Sequence, residues 1–268
     1  MVRVALCGGA CATGAAVADH GKEMNGIMEL NGRVAYAFGD SVINGHVYPR
    51  RACMEFVGER TGLVVRKFAR NGATILPQPL KRPDLGGQVY RQLDEVPDGE
   101  PAPDVIVFNG GINDAWPARI PARLGDFDAA VRLVEGGGEP VTFADWFVAT
   151  ILRMRRTWPD AKLLYVAVAR TRAREWDIQL MLRDVEMRAC AHYGVGVADV
   201  FADADLDTRR DADRVAYTFD ELGADGLPST PQTARYDDPT VHPDGVHPNF
   251  PAIERFYAPV IIRALERL

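Results

Sequence analysis

A serine hydroxyl becomes a nucleophile when a base takes its proton, a carboxylate orients that base, and preorganised donors await the oxyanion. Residues of all these types stand in this chain. Gly39-Asp40-Ser41 is a sharp turn from which Ser41 Oγ can stand above a sheet edge, its own N–H pointing into the same space. Gly72 has no Cβ to keep its N–H from a ligand, and Asn113, within Gly110-Gly111-Ile112-Asn113-Asp114, offers a neutral side-chain amide. Asp244 and His247 are close enough in sequence for a single turn to bring the carboxylate to the imidazole Nδ1. Nε2 of His247 then faces Ser41. The chemistry such a set could perform is acyl transfer, with Ser41, Asp244 and His247 expected to be catalytic and Ser41, Gly72 and Asn113 expected to form the oxyanion hole. Asp114 is read as structural, bonding loop amides that hold Asn113.

These residues work together only if the fold gathers them. Short β-branched or aromatic runs at Arg33–Phe38, Leu63–Phe68, Asp104–Phe108, Lys162–Val168 and Val195–Val200 predict strands, most followed by a segment of helical period. The clearest helix begins at Thr142, with Phe143, Trp146, Phe147, Ile151 and Met154 on one face, a Thr142/Asp145 capping box, and Pro159 as the stop. Near-continuous apolar strands alternating with amphipathic helices predict a parallel sheet covered on both faces, an α/β sandwich. Ligands of such sheets collect at the carboxyl ends of the strands, where Ser41, Gly72 and Asn113 fall. A closing helix is expected over Ala252–Leu268.

The ordered blocks Gly39-Asp40-Ser41, Gly72, Gly111-Ile112-Asn113-Asp114 and Asp244-Gly245-Val246-His247 resemble those of the SGNH (GDSL-type) hydrolases. The resemblance runs from about Arg33 to the C-terminus. It implies a three-layer α/β/α fold of flavodoxin-like type with about five parallel strands. It also implies an esterase or acylhydrolase without metal or organic cofactor. Carried over, the nucleophile falls on Ser41, its triad partners on Asp244 and His247, and the oxyanion hole on Ser41, Gly72 and Asn113. The departures are Val42 where leucine is usual, an N-terminal extension over residues 1–32, and a polar insertion over 202–236 before the last block.

The rest of the sequence bounds the partner. One domain spanning residues 1–268 is expected, since neither a repeat nor a low-complexity tract divides it. With Lys plus Arg at 31 against Asp plus Glu at 37, the net charge of -6 speaks against a nucleic-acid binder and for a small-molecule partner, which the motifs make an acyl ester. Carbohydrate O-acetyl or short-chain esters are favoured, because no broad apolar run suggests long lipids. No apolar run is long enough to span a bilayer. A cytoplasmic location is expected, with secretion as the alternative if residues 1–18 act as a signal peptide. Cys7, Cys11, Cys53 and Cys190 lack metal or redox spacing and read as buried or incidental thiols. His46 and Tyr48 either line the acyl or alcohol pocket or decorate the surface; Trp116, Tyr217 and Phe219 are further candidates for the cleft. Arg153, Arg155 and Arg156 read as a solvated face. Two other readings stay open: a non-catalytic carbohydrate-binding module on the same fold, and a metal-dependent hydrolase built on Asp237, Asp238, His242, Asp244 and His247.

Overall fold

The computed structural model describes residues 28–46, 50–83, 85–220 and 242–268. Residues 1–18, Cys7, Cys11, Tyr48, Asp237 and Asp238, on which several expectations fall, lie outside the described residues. No helix among the described residues is long and apolar enough to cross a membrane.

All five expected strands form, each within a residue or two of the expected bounds: β1 Val34–Phe38, β2 Val64–Lys67, β3 Val105–Phe108, β4 Lys162–Ala167 and β5 Gly196–Asp199. They make one parallel sheet in the order β2-β1-β3-β4-β5. The chain steps outward from β1 to one edge and then returns to the other side, so the switch point lies between β1 and β3. Central β3 is buried at every residue, whereas edge strand β2 is not buried at any.

Side chains of successive strand residues go to opposite faces, and each face has its own core. Ala35, Ala37, Val105, Val107, Leu164 and Val166 pack under helix Cys53–Thr61 and the C-terminal helix Ala258–Leu265. On the other face, Tyr36, Phe38, Ile106, Phe108 and Tyr165 meet helices Phe143–Thr157 and Trp176–His192. This is the three-layer arrangement expected. Helix Phe143–Thr157 starts as its sequence dictates: Asp145 accepts from Thr142 N at 2.8 Å, and Thr142 Oγ1 accepts from Asp145 N at 3.3 Å. Phe143, Phe147, Ile151 and Met154 are fully buried, but Trp146 sits at the rim, edge-on to Tyr90 at 5.3 Å. Arg155 and Arg156 are exposed as expected; Arg153 is half-buried instead, its Nη1 donating to Tyr90 O at 2.7 Å.

Two segments differ from expectation. Part of the polar insertion is scaffold: helix Asp211–Tyr217 leads into strand Thr218–Asp220, which pairs antiparallel with Pro243–Pro248. The strand carrying Asp244 and His247 is thereby fixed from the side. Elements this short and charged leave no periodic trace. The closing helix is broken by a wider π turn at Ile253–Tyr257 ahead of Pro259, whose missing N–H and ring do not fit a regular helix interior.

The turn after β1 is locked by side chains from afar. Gln92 clasps the Gly39 backbone from both sides, accepting from its N and donating to its O at 2.7 Å each. Asn109 Oδ1 accepts from Asp40 N at 3.0 Å, and Asn109 Nδ2 donates to Asp40 Oδ1 at 2.8 Å. Gly39 has φ +141, and a Cβ there would lie 1.9 Å from Asn109 Oδ1. Gly39→Ala should therefore destabilise the protein by about 2–4 kcal/mol, read as a fall in the urea midpoint. An unchanged midpoint would show that Asn109 can yield.

Candidate active site

Ser41 opens the short helix Ser41–Asn44, capped by Asp40, whose Oδ1 accepts from Val42 N at 2.9 Å. Asp40 is fully buried, and burial pushes its carboxyl above the ordinary value against the opposing Asn109 and Val42 hydrogen bonds. Its Oδ2 is buried with no partner among the described residues, as suits a group drawn towards the neutral acid.

Strand Pro243–Pro248 brings the last block to this helix. Ser41 Oγ lies 2.9 Å from His247 Nε2, and His247 Nδ1 lies 2.5 Å from Asp244 Oδ2. The carboxylate keeps the imidazole proton on Nδ1 and leaves Nε2 as the acceptor towards Ser41. Burial alone would raise the Asp244 pKa. The His247 hydrogen bond and charge, with backbone donors Val246 N at 2.8 Å and His247 N at 2.9 Å, outweigh it and hold the carboxyl low. Three threonines that sequence reading passed over fix the intervening turn. Thr171 and Thr208 donate to Gly245 O at 2.5 and 2.6 Å, and Thr218 Oγ1 accepts from Gly245 N at 3.3 Å.

The other two blocks are stitched to the same edge. Asn44, in the Ser41 helix, donates to Asn71 Oδ1 at 2.8 Å, next to Gly72. Gly72 has φ +71, and its N–H meets no acceptor among the described residues. Asn113 Nδ2 donates to Ala73 O at 3.0 Å, which uses one of its two amide hydrogens. Asp114 is fully buried and accepts from Ile75 N at 2.8 Å and Leu76 N at 2.9 Å, the loop-holding part expected of it.

His46 lies against the histidine. Its ring stacks on that of His247 with centroids 3.6 Å apart and planes 11° from parallel, and its Nε2 is 3.7 Å from Asp244 Oδ2. Burial first, and then the neighbouring His247, push its pKa down to about 4. A cleft of about 190 Å³, open to solvent, is lined by Ser41, His46, Arg51, Phe219 and His247 among others. Of the three aromatic candidates Phe219 lines it; Trp116 instead lies exposed under the Arg174 guanidinium, and Tyr217 packs edge-on against Phe256.

Donor atoms of His46, Asp244 and His247 lie within 4.8 Å of one another, so a metal needs to be considered. The fit is poor. Ring lone pairs lie in the ring planes, and two nearly parallel stacked planes cannot both pass through one ion. His242 is exposed and takes no part in this group. Asp237 and Asp238, the other members of the five-residue cluster considered from the sequence, lie outside the described residues.

Behind the Asn113 loop sits a buried acid that the sequence did not single out. A Cβ on Gly111, at φ +104, would lie 2.4 Å from Glu186 Oε1, and Tyr165, hydrogen-bonded to Glu186, donates to Gly110 O at 3.0 Å. Burial pushes Glu186 up to about 8. The unfolded chain gives up this proton near the ordinary value of 4.5, while the folded chain keeps it to about 8. Folding stability should therefore fall as pH rises across that window. Glu186→Gln should flatten the decline of the thermal midpoint between about pH 5 and 8; an identical slope in both proteins would remove Glu186 from the linkage.

Residues 37–249 match the GDSL-like Lipase/Acylhydrolase family, and the chain belongs to it. No curated protein matches the chain. Among solved structures, a protein from Lactobacillus plantarum is 15% identical with a TM-score of 0.58, covering 89% of this chain and 95% of its own. A phospholipase A1 from Streptomyces albidoflavus is 14% identical with a TM-score of 0.55, covering 87% of this chain and 99% of its own. A lipase/acylhydrolase from Enterococcus faecalis is 16% identical with a TM-score of 0.51, covering 87% of this chain and 95% of its own. At such identities these likenesses concern the fold, which is that of SGNH hydrolases.

Proposed function

We propose that the protein is a serine esterase that cleaves small acyl esters through an acyl-enzyme on Ser41. The observation that carries this reading is the unbroken chain from Ser41 Oγ to His247 Nε2 at 2.9 Å and from His247 Nδ1 to Asp244 at 2.5 Å. His247 takes the Ser41 proton as Oγ bonds to the ester carbonyl carbon, and the carbonyl electrons move onto oxygen. That oxyanion is met by the N–H groups of Ser41 and Gly72 and by the second amide hydrogen of Asn113. As the tetrahedral centre collapses, the alkoxide leaves with the proton from His247. Water, deprotonated by His247, then cleaves the acyl-enzyme and frees Ser41.

The sequence holds no broad apolar run suited to long acyl chains, which favours short acyl groups. Carbohydrate O-acetyl groups and short-chain esters are the classes this fits.

A fluorescent fluorophosphonate should label the wild-type protein and leave Ser41→Ala unlabelled; an unlabelled wild type that also fails to turn over a small acetyl ester would sink the esterase reading. Asn113→Ala should fold normally and lose about a hundred- to a thousandfold in kcat. Full turnover by that variant would take Asn113 out of the oxyanion hole.

A further inference from the structure

His247 is held by two hydrogen bonds that both lie in its ring plane, Nδ1 to Asp244 and Nε2 to Ser41. In-plane bonds resist sliding of the ring within that plane and only weakly resist tilting out of it. A tilt swings Nε2 away from the Ser41 proton, and misplacement by an ångström is costly at a reacting centre. The restraint that acts along the missing direction is the His46 ring, 3.6 Å away and nearly parallel.

His46 is itself braced. Its carbonyl accepts from Arg50 Nη1 at 2.7 Å, Gly45 N–H closes the preceding helix on Ser41 O at 2.9 Å, and Phe219 lies 5.8 Å from its ring. Among the described residues its Nε2 is buried without a hydrogen-bond partner, at 3.7 Å too far from Asp244 Oδ2 to take that carboxylate from His247. Nor can that buried nitrogen reach a substrate. What His46 offers the site is its face.

We propose that His46 is a positioning residue for His247, its ring face holding the imidazole in the plane that joins Asp244 to Ser41. The proposal rests on the esterase reading. The face also suits the charge that His247 acquires. Burial and the adjacent imidazole keep His46 neutral, with a pKa near 4, so the imidazolium formed during attack meets a neutral π surface instead of a second cation.

The test compares full-length wild type, Ser41→Ala, His46→Ala, His46→Phe and His46→Leu in fluorophosphonate labelling rate and in kcat and KM for a small acetyl ester. Labelling of wild type but not Ser41→Ala secures the underlying reading first; a wild type inert in both assays ends that reading and this inference together. The expected result is a fall of about ten- to a hundredfold in kcat and labelling rate for His46→Ala, with KM moving by no more than about threefold. His46→Phe, which keeps a planar face and lacks the nitrogens, should recover to within about threefold of wild type. His46→Leu fills similar space without a face and should stay slow, which decides the matter even if the alanine variant does not fold. Wild-type rates in His46→Leu, a loss confined to KM, or a phenylalanine variant as slow as the leucine one would overturn the proposal.

Discussion

The clasp between Asp40 and Asn109 is the constraint on which the site depends. A parallel sheet ends with every strand pointing its carboxyl end into the same space, but it does not say where the chain goes next. Asn109, directly after β3, bonds both the backbone and the side chain of Asp40, two residues after β1, so the neighbouring strands β1 and β3 are tied together at their carboxyl ends. The Asp40 oxygen that receives Asn109 also caps the helix beginning at Ser41. Gln92 closes the other side of Gly39. Ser41 thus sits at a helix start pinned from both sides, although the helix itself is a single turn.

Much of this was legible in sequence because it is local. VAYAF and VIVF are apolar runs that only a doubly covered sheet can bury, and Thr142 with Asp145 announces a helix start through side chains that reach their own backbone. The hydroxyl, imidazole and carboxylate were singled out for a different reason: acyl transfer requires those residue types together, and short sequence blocks carry them. What sequence could not supply were contacts between distant segments with no periodicity. Gln92, Asn109 and the threonines at 171, 208 and 218 are ordinary polar residues until the fold sets them against a glycine backbone. The ribbon of Thr218–Asp220 with Pro243–Pro248 was hidden the same way, its charged, proline-bearing sequence resembling a loop.

Burial sets the protonation pattern around the site. Asp114, pushed up to about 7, accepts from the Ile75 and Leu76 amides, and Glu186, pushed up to about 8, lies against Gly111 behind the Asn113 loop. Desolvation disfavours their anions, and no cation is hydrogen-bonded to either among the described residues. Asp244 is nearly as buried yet shifts the other way, because an imidazole and two backbone amides converge on it. On the esterase reading proposed above, negative charge is thus held beside His247 and disfavoured behind the Asn113 loop, where it would oppose an oxyanion on the substrate.

That division explains why His46 can stand so close to the reacting groups. A second imidazole beside the base would compete with it if it could reach the carboxylate or carry charge of its own. Stacking removes both possibilities: the parallel ring directs its nitrogens away from His247, and burial without a hydrogen-bonded anion keeps it neutral. The same geometry that prevents His46 and His247 from sharing a metal lets one ring brace the other. His247 is then held by Asp244 and Ser41 within its ring plane, by His46 across it, and through the chain by the threonine-bound turn at Gly245, two residues before it.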